Sequence, residues 1–146
     1  MATQRTIEEA DIRRRMERWC EAIRAMDLDG VMSHYARDLA SFDVGPPLRH
    51  AGAQAKRNNW VGVFAMFQPP FDYEIRDLTI TVGDDVAFGH SLNRISGTSK
   101  DGKKNEVWVR FTACFRKIDG DWRIVHDHVS VPLDPATGRA LMNLEP

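Results

Sequence analysis

The sequence has little of several features that define whole classes of protein. Only two of its residues are cysteines, Cys20 and Cys114, and their spacing fits neither a CxxC motif nor a zinc site. No apolar run approaches the roughly 18–20 residues of a membrane span, and the polar N-terminus lacks the apolar segment of a secretory signal. Lys and Arg number 20 against 21 Asp and Glu, a balance that argues against a general nucleic-acid binder. We therefore expect a reduced, cytoplasmic protein with two core thiols and with no membrane or nucleic-acid partner.

The length indicates one domain. A chain of 146 residues buries about 68–70% of its unfolded surface on folding, so it needs no disulfide or structural metal. No repeat, low-complexity segment or long linker divides it. We interpret residues 1–146 as a single domain with a core at about 7–132 and a polar, irregular tail at 133–146.

Helical periodicity fills the first half of the chain. Apolar residues recur every three or four positions between Ile12 and Met26, and Thr6 with Glu9 fits a capping box, so a long amphipathic helix is predicted. The segment Asp27–Gly30 breaks it. The other elements predicted in this half are a short helix through Tyr35, an extended piece at 39–44, and a helix at about 52–67 with Trp60, Phe64 and Phe67 on one side.

From Phe71 onward the periodicity changes to two, which is typical of strands. Short Gly- and Asp-containing segments separate the alternating runs and favour hairpins. The predicted strands span 73–82, 86–97, 105–117 and 122–131. Helices followed by strands favour the α+β class, with three helices covering one face of a curved antiparallel sheet.

Alternation also predicts which face each side chain occupies. In the strand 105–117, Val109, Phe111 and Ala113 belong to the core face, and Cys114 belongs to the opposite face. In the strand 86–97, His90 is a polar residue inside an apolar run, on the same side as Val86, Phe88, Leu92 and Arg94.

The face of the last strand depends on the turn at Ile118–Gly120. A three-residue turn sets Val125, Asp127 and Val129 opposite the core residues Ala113, Phe111 and Val109. A two-residue Asp-Gly turn inverts this and sends His126 and His128 inside. We favour the three-residue turn because it keeps Val125 and Val129 with the other β-branched core residues.

These features resemble the SnoaL-like, ketosteroid-isomerase-like branch of the nuclear-transport-factor-2-like (NTF2-like) superfamily, over roughly residues 7–132. The resemblance rests on three segments: the long helix running into Asp27-Leu28-Asp29-Gly30, the strand Ser41-Phe42-Asp43 followed by a helix with Trp60, and the ending from Asp119 to Ser130. It implies a cone of curved sheet wrapped around helices, a pocket at the open end, and a homodimer formed through the outer face of the sheet.

The same resemblance implies a site. Asp43 matches the carboxylate that serves as general base in ketosteroid isomerases. An apolar wall of the pocket would raise the pKa of Asp43. The oxyanion-hole tyrosine and aspartic acid of those enzymes correspond here to Trp19 and Ala113, so the usual oxyanion pair is not intact. Asp43 has a structural interpretation too, as a cap of the Gly45-Pro46-Pro47 corner.

Two further polar residues are candidates for acid/base work. A core-facing Asp127 needs a partner or a wet pocket, and Arg94 or His90 is the expected partner. His90 could orient a carbonyl or assist Asp43. His126 and His128 lack an evident third ligand, so no metal and no cofactor are predicted. The residues expected to line the substrate pocket are Trp19, Tyr35, Trp60, Phe88, Arg94, Phe111 and Val129.

Two functions follow as hypotheses. One is a cofactor-independent isomerase, cyclase or hydrolase in which Asp43, assisted by Asp127 or His90, moves a proton on a small apolar cyclic substrate. The other is a ligand-binding or dimerisation module without catalysis, which the missing acid at Ala113 favours.

Overall fold

The computed structural model describes residues 2–146, and within them three helices precede or interrupt a six-stranded curved, unclosed sheet. In chain order the elements are α1 (Gln4–Arg24), α2 (Leu28–Met32), β1 (Tyr35–Phe42), β2 (His50–Ala51), α3 (Ala53–Ala65), β3 (Phe67–Val82), β4 (Val86–Ser99), β5 (Lys104–Ile118) and β6 (Asp121–Ser130). The strand order is β2-β1-β6-β5-β4-β3. The predicted α+β class and the four-stranded meander are confirmed.

One strand pair differs from the prediction of a purely antiparallel sheet. β1 runs parallel to β6, with Ser41 beside Asp127 and Phe42 beside His128. Parallel pairing requires a long connection between the two strands. Here the connection consists of β2, α3, β3, β4 and β5. The pairing sets the first strand against the last and brings together side chains far apart in sequence.

Helix α1 forms for the predicted reason but begins one turn earlier. The Thr3 side chain accepts a hydrogen bond from the Thr6 N–H, so Thr3 is the N-cap and the predicted capping box at Thr6 is wrong. The predicted stripe is buried at Ile12, Met16, Trp19, Cys20 and Ile23. This stripe packs into the concave side of the sheet and forms the core with β3 and β5 residues.

Helix α3 ends at Ala65, before the predicted end at residue 67. Phe67 instead opens β3, and Pro69 and Pro70 lie within that strand. Proline lacks the N–H that a central strand must donate, and β3 tolerates it because it is an edge strand. The two buried residues of α3 are Lys56 and Trp60, one helical turn apart.

The β5–β6 hairpin has the turn that we did not favour. Ile118 pairs with Asp121 across a two-residue turn in which Asp119 and Gly120 have φ of 52° and 83°, as a primed turn requires. Asp127 nevertheless faces the core, because a β-bulge at Val125 shifts the register between Phe115 and Cys114. Val125 itself leaves the core and lies on the outer side.

β4 alternates as predicted, but the side that carries Phe88, His90 and Arg94 was expected to line the pocket and does not. Ala87, Gly89, Ser91 and Asn93 point into the core, so Phe88 (48% exposed), His90 and Arg94 lie on the outer face. The inner face has little room, since a methyl on Gly89 would lie 3.3 Å from the Thr79 carbonyl oxygen. The buried polar groups bond to each other: Ser91 donates to Asn93, whose amide donates to the Tyr73 hydroxyl at 2.8 Å.

The two thiols differ in burial. Cys20 is buried in α1, whereas Cys114 is half-buried on the outer face of β5, so the prediction of two core thiols is correct only for Cys20. No helix within residues 2–146 is long and apolar enough to cross a membrane.

Candidate active site

A buried lysine stands between two carboxylates on the concave side of the sheet. Lys56 Nζ lies 3.0 Å from Asp43 Oδ2, 3.2 Å from Asp127 Oδ2 and 3.0 Å from Ser41 Oγ. Ser41 Oγ also donates a hydrogen bond to Asp127 Oδ1. Lys56 is 2% exposed and Asp127 1%. We call Ser41, Asp43, Lys56 and Asp127 the polar cluster.

Three elements, β1, α3 and β6, position the polar cluster. Ser41 occupies an inward position of β1, and the parallel register sets it beside Asp127 of β6. Asp43 follows directly after β1, at the mouth of the concavity. Lys56 comes from α3, one turn before Trp60, so its long side chain runs along an aromatic face before the ammonium meets the carboxylates.

The carboxylates differ in how fully their oxygens are used. Asp43 Oδ2 accepts from Lys56 and from the Asn59 amide at 2.7 Å, and Oδ1 accepts from the Val44 N–H at 2.8 Å. Asp127 Oδ2 is buried, and its contact with Lys56 lies outside hydrogen-bonding geometry. No other donor within residues 2–146 bonds to that oxygen. Asp127 therefore keeps a free lone pair.

The electrostatics of Asp43 are opposite to the expectation. Burial acts to raise the pKa of Asp43, but the Lys56 ammonium and the Val44 N–H outweigh it, so the pKa is lowered. Burial likewise acts to lower the pKa of Lys56, and the Tyr35 oxygen and the Asp127 and Asp43 carboxylates raise it overall. The cluster is thus an ion network in which lysine stabilises charged carboxylates.

A cavity of about 60 Å³ opens beside the polar cluster. Its aromatic walls are Trp19, Trp60, Tyr73 and Phe111, its aliphatic walls are Val63, Ile95 and Val129, and its polar walls are Asp43, Lys56, Asn59 and Asp127. The volume suits a compact head group rather than a whole ring, since a cavity of about 150 Å³ is what accommodates benzene. Asp43 also lines a wider outer depression of about 730 Å³ formed with Phe42, Pro47, Leu48, Arg49 and His128.

Tyr35 lies behind the cavity wall and bonds to two of its aromatic residues, Trp19 and Trp60. Its hydroxyl oxygen accepts hydrogen bonds from the Trp19 indole N–H at 3.2 Å and from the Trp60 indole N–H at 3.1 Å. Both indole donors are therefore used within the protein, and Trp19 offers the cavity its ring but no free N–H. Burial raises the pKa of Tyr35, so the phenol stays neutral at physiological pH.

The structure brings together only part of the predicted site. Asp43, Asp127, Trp19, Trp60, Phe111 and Val129 line the cavity, with Tyr35 behind them. His90, Phe88 and Arg94 lie on the outer face of β4, and the expectation that Arg94 or His90 pairs with Asp127 is wrong. Arg94 instead bonds to Asp72 at 2.9 Å. The actual partners of Asp127 are Lys56 and Ser41.

The central residue missed by the sequence reasoning is Lys56. It stands four positions before Trp60, on the buried side of the predicted third helix, and a lysine on that side was the available signal. Ala113, the position implied for the oxyanion acid, is buried and pairs directly with Asp127. The inward carboxylate of this pair of strands is therefore on β6 rather than on β5.

Comparison with known proteins agrees with this architecture. A sequence profile of the SnoaL-like domain matches residues 12–134. An NTF2-like protein of unknown function from Pseudomonas putida KT2440 is 33% identical and superposes with a TM-score of 0.87, covering 97% of this chain and 98% of its own. A search of proteins with curated functions gives no match.

More distant structures share the fold. A ketosteroid isomerase-like protein from Erwinia carotovora atroseptica SCRI1043 is 22% identical, with a TM-score of 0.71 over 83% of this chain and 93% of its own. An NTF2-like superfamily protein from Salmonella enterica serovar Typhimurium LT2 is 19% identical, with a TM-score of 0.76 over 90% and 96%.

The fold, together with the 33% identity to an NTF2-like protein over nearly the whole of both chains, defines a protein of the NTF2-like superfamily. Within that superfamily, the chain belongs to the SnoaL-like family.

Proposed function

We propose that this protein is a cofactor-independent acid/base enzyme of the isomerase, dehydratase or hydrolase type, acting on a small organic molecule in the inner cavity. The observation that carries the proposal is the free lone pair of Asp127 Oδ2, a buried oxygen of a residue that lines the cavity, which is held beside the Lys56 ammonium. A carboxylate fixed in this way is positioned to accept a proton from a bound molecule or from water.

The geometry favours Asp127 over Asp43 as the proton acceptor. Both Asp43 oxygens already accept hydrogen bonds, and its pKa is lowered, which makes it a weak base. Asp43 instead holds Lys56 in place, and Lys56 in turn keeps Asp127 beside a positive charge. Asp43 is a positioning residue in this proposal. The proposed base is Asp127 rather than Asp43.

A screen in D2O followed by proton NMR tests the proposal, using cyclic ketones, hydroxyketones and epoxides. One assay reports C–H exchange, loss of water and ring opening. We expect turnover of at least one class, reduced about 10²–10⁴-fold in Asp127→Asn, the usual contribution of a general base. Asp84→Asn, at an exposed position, is the matched control. Full activity of Asp127→Asn with loss in Asp43→Asn would return the base role to Asp43.

A second candidate is a binding module without catalysis. It is favoured by the small cavity and by Ala113, which offers no acid where ketosteroid isomerases are expected to have one. A ligand that binds in the cavity with no chemical change in any class of the screen would support this module over the enzyme.

We also propose that the protein forms a homodimer through the outer face of the sheet and works in the reducing cytoplasm. The dimer is supported by Val86 and Phe88, which are half-exposed apolar residues beside a shallow depression of about 480 Å³. The cytoplasmic setting is supported by the two free thiols. Sedimentation analysis of wild type and Phe88→Glu tests the interface, and a monomeric wild type would contradict it.

A further inference from the structure

The cavity has an excess of negative charge. Its charged wall residues are Asp43, Asp127 and Lys56, two carboxylates and one ammonium. In their ionic forms they sum to −1. Asp127 and Lys56 are nearly inaccessible to solvent and Asp43 is 19% exposed, so water screens this charge poorly. An anionic ligand would meet repulsion, whereas a cation would complete the charge balance.

The hydrogen-bonding capacity of the cluster points the same way. Lys56 donates hydrogen bonds to Ser41 and Asp43, and its ammonium lies 3.2 Å from Asp127 Oδ2 without hydrogen-bonding geometry. Asn59 directs its amide to Asp43, and both cavity indoles donate to Tyr35. The indole donors of Trp19 and Trp60 are therefore occupied, and Lys56 and Asn59 each direct one donor to Asp43. Asp127 Oδ2 is a buried acceptor that remains free. A hydrogen-bond donor on the ligand would therefore satisfy this oxygen.

The aromatic walls add a third, independent preference. Trp19 lies against Phe111 and edge-on to Tyr73 and Trp60, with ring centroids 5.3–6.3 Å apart. The faces of such rings attract cations, tryptophan most strongly. Lys56 already shows this attraction, since its ammonium lies 5.9 Å from the Trp60 ring centroid.

We infer that the cavity selects a ligand with a compact cationic hydrogen-bond donor, a protonated amine, and rejects carboxylates and phosphates. This inference rests on the proposed function, because it names the ligand class of the same cavity. The volume of about 60 Å³ admits the amine head. The body of the ligand would pass Asp43 toward the outer depression that Asp43 also lines.

Binding of three probes of matched shape tests the inference: benzylammonium, benzyl alcohol and benzoate, each titrated calorimetrically at pH 7. We expect benzylammonium to bind wild type at least tenfold more tightly than benzyl alcohol, and benzoate to bind most weakly. In Asp127→Asn the remaining Asp43 and Lys56 charges balance, so this variant should fold. It should lose the preference for the ammonium and keep the alcohol affinity within about threefold.

Val129→Phe, which fills the cavity, shows whether a probe binds there. Benzoate that binds wild type as tightly as benzylammonium, with both lost in Val129→Phe, overturns the amine inference and leaves the proposed binding function intact. Absence of cavity binding by every probe overturns both. The wild-type panel tests the inference even if Asp127→Asn fails to fold, and a preference that survives in a folded Asp127→Asn also overturns it.

Discussion

Replacing Lys56 by methionine tests the interpretation of the polar cluster as an ion network. Methionine keeps a similar length and flexibility but removes the ammonium. The change leaves Asp43 and Asp127 facing each other across the space vacated by Nζ, which was 3.0 Å and 3.2 Å from their oxygens. Asp127 is fully buried, so its charge is left without compensation.

The expected loss is large for one substitution. Removing one partner of a buried ion pair costs about 3–5 kcal/mol, because the remaining charge stays desolvated. For a domain of this length, each kcal/mol lowers Tm by about 2–4 °C, so the melting temperature should fall by about 6–20 °C. Lys56→Met combined with Asp127→Asn removes the second charge as well and should recover most of the loss.

The stability of wild type and the stability of Lys56→Met should depend on pH in opposite directions. In wild type, the lowered pKa of Asp43 contributes stability above its unfolded value near 3.9, and this contribution is lost as pH falls through the lower folded value. Without Lys56, burial is left to raise the pKa of Asp43. The variant should therefore regain stability as pH falls from 7 toward about 5.

Urea and thermal unfolding at pH 7 and pH 5 measure both effects. Lys104→Met, at an exposed position at the start of β5, is the matched control for loss of a lysine. If Lys56→Met and Lys104→Met unfold at the same temperature at pH 7, the ammonium does not compensate the buried carboxylates and the reasoning fails.

Two other predictions concern hydrogen bonds outside the ion network. Tyr35→Phe should lower the free energy of unfolding by about 2–5 kcal/mol in urea, because two buried indole N–H groups lose their acceptor; a loss no larger than that of a surface substitution would show that the indoles find other acceptors. Glu8 accepts from Lys117 and from the Trp122 indole, and these bonds lower its pKa to about 2. Glu8→Gln should cost about 1.5–3 kcal/mol at pH 6 and less at pH 2.5, since the wild-type contribution is lost as pH falls from about 4.5 toward 2. Urea midpoints at the two pH values check this, and an equal loss at both would exclude a charge effect.

Sequence periodicity predicted the helices and the meander because their buried stripes are long. The stripe of α1 includes Trp19 and Cys20, and the alternation of β5 includes Phe111 and Ala113, so many residues report the same face. Periodicity predicts the tail and the helix ends less well, as the shift of the N-cap from Thr6 to Thr3 shows.

The site was less predictable because local exceptions decide it. In β4 Phe88 and Arg94 face outward and mostly small or polar side chains fill the narrow concave side, the reverse of the usual pattern. In β6 a primed turn and the bulge at Val125 compensate each other, so Asp127 faces inward although the turn was predicted wrongly. Neither exception has a signature in one sequence. Lys56 was accessible to reasoning, since burying a lysine requires nearby carboxylates.

The parallel pairing of β1 with β6 also has a consequence for the entropy of assembling the polar cluster. Ser41 and Asp127 are 86 residues apart, and the length-dependent entropy of closing such a loop is on the order of 4 kcal/mol. Asp43 and Lys56, only 13 residues apart, form a neutral pair that can assemble locally. Asp127 joins the polar cluster only through the docking of β6, so the net negative charge of the cavity depends on the contact of the cluster that spans the most sequence.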